Sequence, residues 1–361
     1  MDSSTAQTTT KMAELTISSA PTQLERIGQG RCGTVWAIRC SPCDDENHSH
    51  LAMKREDGST GRSISHEYRM HQRITTIPSS RFTSFAIPQS VGFLDAQDDA
   101  AWSAILPRLP PDYTACNAIV SEKILPVKDS ARRLLVQTFR PDVDAEDILR
   151  SQSNKHCLVR PYLGRRRFHQ SEMEAASTGE SERRRRRLLR ALSLRNFPLH
   201  MDQMEQLGID PSGYAVAMAD ALAFMHWVAH VDGNDVEFVL GQPRCQSDTS
   251  SSATSTRDIC FDTNTTVLGP HLVWILDFDL CRDISLDEAG VGQAHHAFWG
   301  NDPYFPRPGS SNLADQRLWA IFQDRYIESS AAALQEEPDS VKQLPGLFIE
   351  RIKQARSVSS S

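Results

Sequence analysis

Nowhere do the 361 residues contain an uninterrupted apolar run long enough to span a bilayer, so a chain that crosses a membrane as a helix is not expected. The opening stretch, MDSSTAQTTTKMAELTISSAPT, lacks the apolar centre of a secretory signal, and an intracellular protein, cytoplasmic or nuclear, follows as an expectation. A basic excess is missing too. The net charge of -7 argues against a general nucleic-acid binder, which needs surplus Lys and Arg to displace counterions from phosphate. The eight cysteines have no regular spacing and, with no secretion signal, read as reduced thiols rather than a disulfide framework. There is no internal repeat.

What is present is a hydrophobic fraction of 39%, sufficient for a packed core. Residues 1–21 are rich in Ser, Thr and Ala without a period and read as a mobile tail, as do residues 356–361. Alternating apolar positions (Val35, Ala37, then Leu51, Met53) predict strands separated by a glycine turn and by the polar stretch CSPCDDENHSH. A helix is expected over Ser63 to Ile74, and strands near Phe85 to Phe93 and Ala118 to Leu125. Between Lys128 and Met201 the chain is charged and uneven, and its middle, the basic stretch 164–190 with GRRR and ERRRRR, reads as a solvated insertion. Pro211 then opens a strong helix running to Ala229, Gln242 to Thr266 has the composition of a surface loop, and LVWILDFDL (Leu272 to Leu280) resembles a strand.

The chemistry-bearing residues lie at fixed places in this order. Gly28, Gly30 and Gly33 have a spacing that lets backbone N–H groups approach phosphate oxygens, and the strand-forming residues after them, Val35 included, favour a nucleoside triphosphate over a dinucleotide. Lys54 ends the next apolar strand, where an ammonium neutralises α and β phosphates, and Glu67 on the following helix is placed to hold it by an ion pair. His230, Val231 and Asp232 start a loop in which Asp232 accepts the proton of an attacking hydroxyl. Glu237, five residues on, stands where a phosphotransferase has a metal-binding amide, and Asp277 in LDFD offers a carboxylate to bridge Mg²⁺ or Mn²⁺ to phosphate. Asp235 reads as a loop-capping acid rather than a further ligand.

With GQGRCGTV, AMK, HVDGNDVE and LDFD in this order over most of residues 24 to 305, the sequence resembles the protein-kinase-like superfamily. That resemblance implies a two-lobed α+β fold, with a small antiparallel sheet over 22–126 and a mainly helical part over 127–355 carrying insertions at 164–190 and 242–266. It also implies ATP with a divalent metal as cofactors and phosphoryl transfer to a small-molecule or protein hydroxyl. At LRNFPLHMDQM, MADALAFMHW, DVEFVLG and NDPYFPRP the chain is more specifically similar to a fungal family of unknown function loosely labelled a zinc-finger protein domain.

Several departures bear on activity. Val231 replaces the arginine that reads an activation-loop phosphate, Asp279 replaces the glycine of D-F-G, and no A-P-E segment follows. A metabolite acceptor therefore stands beside a protein one, and a pseudokinase-like module that acts through a protein partner stands beside the enzyme. A zinc-dependent nuclear regulator is a third class: Cys40, Cys43, His48 and His50 have the ligand types for zinc, but His48 and His50 are closer than the usual pair. The arginine runs are open between an import signal, an acidic-partner patch and a solvated face, and they lack the aromatic interleaving of a nucleic-acid site. The aromatic stretch HHAFWGNDPYFPRP reads as packing, with substrate contact as the alternative.

Overall fold

The computed structural model describes residues 23–38, 51–77, 83–141, 143–167, 193–244 and 266–358. They form an α+β structure that divides into two compact units, the first drawn from Met1–Ile77, Ile87–Ile124 and Asp277–Leu280 and the second from Pro78–Ala86, Leu125–Leu276 and Cys281–Ser361. The tail 1–21, most of both insertions, and Cys40, Cys43, His48 and His50 lie outside the described residues.

In the first unit, β1 (Leu24–Gln29), β2 (Thr34–Ile38), β3 (Leu51–Arg55), β4 (Ser90–Leu94) and β5 (Ala118–Glu122) make an antiparallel sheet in the order β1-β2-β3-β5-β4. Period-two alternation assigns its faces. Leu51 and Met53 join Trp36, Ala118 and Val120 in a core completed by Trp102 and Ile105 of a helix, Asp99–Ile105, while Ile119 joins Ile64 of the helix Ile64–Thr76 in a second cluster. In chain order these helices are α1 (Ile64–Thr76) and α2 (Asp99–Ile105). Ser63 caps α1 by accepting the His66 N–H at 3.2 Å, so the helix expected over Ser63 to Ile74 begins one residue later, at Ile64, and runs on to Thr76. The apolar stretch around Phe85 to Phe93 is strand only from Ser90, and Ala86 makes a single bridge to Trp274 within the second unit.

The second unit starts with α3 (Asp129–Phe139), α4 (Ala145–Arg150) and α5 (Gln152–Lys155), so the charge-rich region after Lys128 contains helices. Arg133 with Glu146 and Arg132 with Asp129 account for part of that charge. β6 (Val159–Tyr162) and β7 (Phe197–His200) pair in parallel. Between them, Gly164 belongs to the fold, because a Cβ there would lie 2.4 Å from the Phe305 carbonyl. Arg165 to Arg167 are likewise bonded to Asp302, Glu205, Asp315 and Asp202, and the basic insertion therefore starts later than its composition indicates.

After α6 (Met201–Gln206) comes α7 (Ser212–Trp227), buried on nearly every side. An apolar helix of this kind must be surrounded by its neighbours. The sheet order β7-β6-β8-β9 is completed by β8 (Glu237–Gly241) and β9 (Leu272–Leu276). The expected strand to Leu280 stops at Leu276, since Asp277 has the left-handed φ of 69° that ends an extended run. Finally α8 (Glu288–Gly300), α9 (Leu313–Ala333), α10 (Asp339–Lys342) and α11 (Leu344–Val358) enclose Phe298, Phe305, Phe322 and Phe348, the packing role expected of the aromatic stretch. Helix α11 runs into residues expected to be a mobile tail.

Candidate functional site

Alternation along β3 buries Leu51, Met53 and Arg55 with the sheet core and turns Lys54 to the α1 face. Glu67 projects there from the first turn of α1, where the helix dipole favours a carboxylate. The Lys54 ammonium stands 2.8 Å from Glu67 Oε1 and 2.7 Å from Asp277 Oδ1. The structure thus brings three of the expected residues together within one unit. Burial works against the Lys54 charge, but the two carboxylates outweigh it and hold the ammonium above the ordinary lysine range. Burial pushes the Glu67 carboxyl up to about 7 despite Lys54, with Asp277 adding to the rise.

Asp279 extends this cluster. Its Oδ1 accepts from Arg62 Nη1 at 2.7 Å, and its carboxyl is raised by burial and by Asp277 against the opposing pull of Lys54 and Arg62. Phe278, between the two acids, is buried against the His71 ring, which anchors the turn that presents them. Cys32 enters from the β1–β2 turn, and burial pushes its thiol up to about 12.

Two of the three turn glycines have a steric reason. A Cβ on Gly33, where φ is 154°, would lie 2.0 Å from the Arg55 carbonyl, and one on Gly28 would press on Val35 at 3.0 Å, whereas Gly30 faces open space. Gly58, which sequence reasoning missed, is equally constrained: a Cβ there would meet the Arg31 carbonyl at 2.3 Å. The Gly58 and Ser59 N–H groups donate to the Cys32 and Arg31 carbonyls, and Asp57 accepts both the N–H and the hydroxyl of Thr34 at 2.7 Å. The glycine turn is therefore bonded to the turn after β3. Asp57 and Gly58 directly follow the Lys54 strand, the one sequence signal that could have drawn attention to them.

Asp232 and Glu237 belong to the second unit. The segment 230–236 leaves α7 through three left-handed residues, His230, Gly233 and Asp235. Buried Asn301 holds it by donating to the Gly233 carbonyl and accepting the Asp235 N–H, both at 2.7 Å. Asp232 is buried, and its carboxylate accepts from the backbone N–H groups of Asn234 and Arg282, from Arg282 Nε at 3.1 Å and from Gln293 Nε2 at 3.0 Å. Glu237, at the start of β8, forms an ion pair with Arg160 of β6 at 2.5 Å. A carboxylate paired with a cationic side chain is a weaker cation ligand, which holds for Glu237 beside Arg160 as it does for Asp277 beside Lys54.

Residues 273–338 match a family model described as "Zinc finger protein". The match covers a minor part of the chain, from β9 to the end of α9 and just beyond, and includes Asp277 and Asp279 but not Lys54, Glu67, Asp232 or Glu237. No curated protein and no solved structure matches the sequence. Among the described residues, no helix is long and apolar enough to cross a membrane.

Proposed function

We propose that this chain is a divergent protein-kinase-like phosphotransferase that takes ATP with Mg²⁺ or Mn²⁺ and phosphorylates a small-molecule or protein hydroxyl. The observation that carries the reading is the Lys54 ammonium held between Glu67 and Asp277. A strand lysine fixed by a helix glutamate is oriented for phosphate oxygens, and a neighbouring aspartate offers a hard oxygen ligand to the cation that accompanies them. In this reading the turn of Gly28, Gly30, Gly33 and Val35 lies over the nucleotide, and Asp277 takes the metal. Asp232 receives the hydroxyl proton as the acceptor oxygen bonds to the γ-phosphorus and ADP departs.

The acid carries a specific requirement. Asp232 must give up a donor before it can accept a new proton, and the Arg282 guanidinium is the one to leave, because its side chain is 56% exposed and can turn to solvent. A second reading, a pseudokinase-like module that binds a nucleotide or a protein partner without turnover, is favoured by the saturation of Asp232 and by the Arg160–Glu237 pair.

Incubating the full chain with ATP and Mg²⁺ or Mn²⁺ and a panel of hydroxyl acceptors distinguishes the two. The enzyme reading expects metal-dependent ADP formation that falls by about 10²-fold or more in Asp232→Asn, the usual contribution of a positioned proton acceptor. Nucleotide binding without ADP formation in any mixture, with Asp232→Asn equal to the parent, would leave the binding module.

A further inference from the structure

We infer that the acceptor is a small hydroxy compound that also carries a carboxylate or a phosphate, and that Arg282 selects it. The inference rests on the phosphotransferase reading, and every residue it uses belongs to the second unit. An ionised carboxylate offers about four lone-pair sites, two on each oxygen, and each of those on Asp232 is taken. Its Oδ1 accepts the backbone N–H groups of Asn234 at 3.0 Å and Arg282 at 2.9 Å, while its Oδ2 accepts Arg282 Nε at 3.1 Å and Gln293 Nε2 at 3.0 Å.

The two oxygens therefore differ in what they can exchange. The donors on Oδ1 are backbone groups, fixed where Asp232 returns its own N–H to the Arg282 carbonyl beside the bridge of Val231 to Asp283. On Oδ2, Gln293 is tied a second time, by its bond to the Asp283 carbonyl. The Arg282 side chain has Asp232 alone, and among the described residues its terminal nitrogens make no hydrogen bond. Oδ2 is thus the proton-accepting oxygen, Gln293 keeps it in place, and the acceptor hydroxyl enters where Arg282 Nε leaves. In the transfer the acceptor oxygen bonds to the γ-phosphorus, its proton passes to Asp232 Oδ2, and the bond from that phosphorus to the bridging oxygen breaks to release ADP.

What draws the guanidinium away decides what the acceptor is. A neutral alcohol replaces a charged donor on Asp232 by an uncharged one and leaves the guanidinium only water. An alcohol with its own oxyanion gives the guanidinium a new pair while its hydroxyl takes the vacated place. Arginine suits this exchange, because its planar fork holds Asp232 by Nε and, on a side chain 56% exposed, presents its terminal nitrogens to an incoming anion. Hydroxyl and anion must both lie within the swing of one side chain, which a small molecule provides by itself.

The test measures ADP formation by the full chain with ATP and Mg²⁺ or Mn²⁺, using acceptors that share a skeleton and differ in charge: glycerol, glycerate and glycerol 3-phosphate; glucose, glucuronate and glucose 6-phosphate; and a serine peptide with and without flanking acids. In at least one small-molecule set, kcat/KM is expected to favour an anionic member over the neutral one by about 10-fold or more, the worth of a hydrogen bond to a charged group. The carboxylate and phosphate members tell which anion is read. Arg282→Ala is expected to remove that preference mainly through the KM of the anionic member, and Arg282→Lys, which keeps the charge without the fork, to restore part of it. Circular dichroism and urea midpoints equal to the parent's establish that the variants fold. Should Arg282→Ala not fold, Arg282→Gln, which keeps a donor for Asp232 but no charge, is expected to lose the same preference. A neutral or peptide acceptor used best, or a preference unchanged in Arg282→Ala and Arg282→Gln, overturns the selection and leaves the phosphotransferase reading standing. ADP formation in no mixture, by parent or variant, overturns both.

Discussion

Replacing Lys54 by Met keeps most of the side-chain volume and removes the ammonium from between Glu67 and Asp277. Breaking a buried ion pair by deleting one partner costs about 3–5 kcal/mol, because the remaining charge is left uncompensated. Lys54 keeps 19% exposure and Asp277 27%, which places the expected loss near the lower end, at about 3 kcal/mol at pH 8. Glu67 provides an escape through protonation. Burial already pushes its carboxyl up to about 7 while Lys54 pulls it down, so the variant raises it further. A carboxyl that holds its proton more tightly folded than unfolded favours the fold at low pH, and that contribution is lost as pH rises through its folded value. The Lys54→Met deficit is therefore smaller at pH 6 than at pH 8, and adding Glu67→Gln recovers much of it. Native-state hydrogen exchange of peptides from β3 and α1 reads this locally, without requiring that the whole chain unfold in one step. A deficit at pH 8 below about 0.5 kcal/mol, the range of ordinary surface substitutions, would show that Lys54 does not hold the two carboxylates. So would equal deficits at the two pH values.

Two other outcomes follow from the same contacts. Gly33→Ala forces a Cβ against the Arg55 carbonyl and is expected to destabilise the first unit by more than about 1 kcal/mol, whereas Gly30→Ala, in open space, changes it by less than about 0.5 kcal/mol; urea midpoints monitored by exchange in β1 and β2 compare them. His226, fully buried at the end of α7 and facing the Tyr326 hydroxyl, has its imidazole pulled down by burial to about 3. The unfolded chain takes up that proton first, so stability present above about pH 6.5 is lost as pH falls toward the folded value, by up to about 1.4 kcal/mol per pH unit for this group. His226→Phe flattens that acid limb in urea midpoints measured between pH 7 and 5, and a limb of unchanged slope would contradict it.

Order along the chain was enough to relate Lys54 to Glu67, because strand alternation and an N-capped helix are local properties that bring both residues to one face. Asp277 was legible as a carboxylate ending an apolar strand, though not its left-handed backbone, which shortens that strand. The clamp of Asp57 and Gly58 on the glycine turn was hidden because it depends on two turns packing backbone to backbone. Residue identity gave Asp232 an acceptor's role, but its burden of donors comes from Arg282 and Gln293, fifty and more positions away, through a pairing that composition does not encode. Glu237 raised the question of a lost amide, and its partner, Arg160, sits in a strand that the charge-rich surroundings concealed. Cys32 could not be placed from sequence, since a turn residue's inward or outward direction is set by the packing around it.

The proposed function requires that the first unit take a nucleotide on Lys54 and Asp277. The most direct measurement is the unfolding stability of the full chain with ATP alone, with Mg²⁺ or Mn²⁺ alone, and with both, in the parent and in Lys54→Met and Asp277→Asn. Ligand at about a hundredfold its dissociation constant stabilises the native state by about 2.7 kcal/mol. A stabilisation of that order is expected with ATP and metal together, and its loss in both variants. Equal stability with and without ATP under every metal condition, or a stabilisation that survives both substitutions, would contradict it.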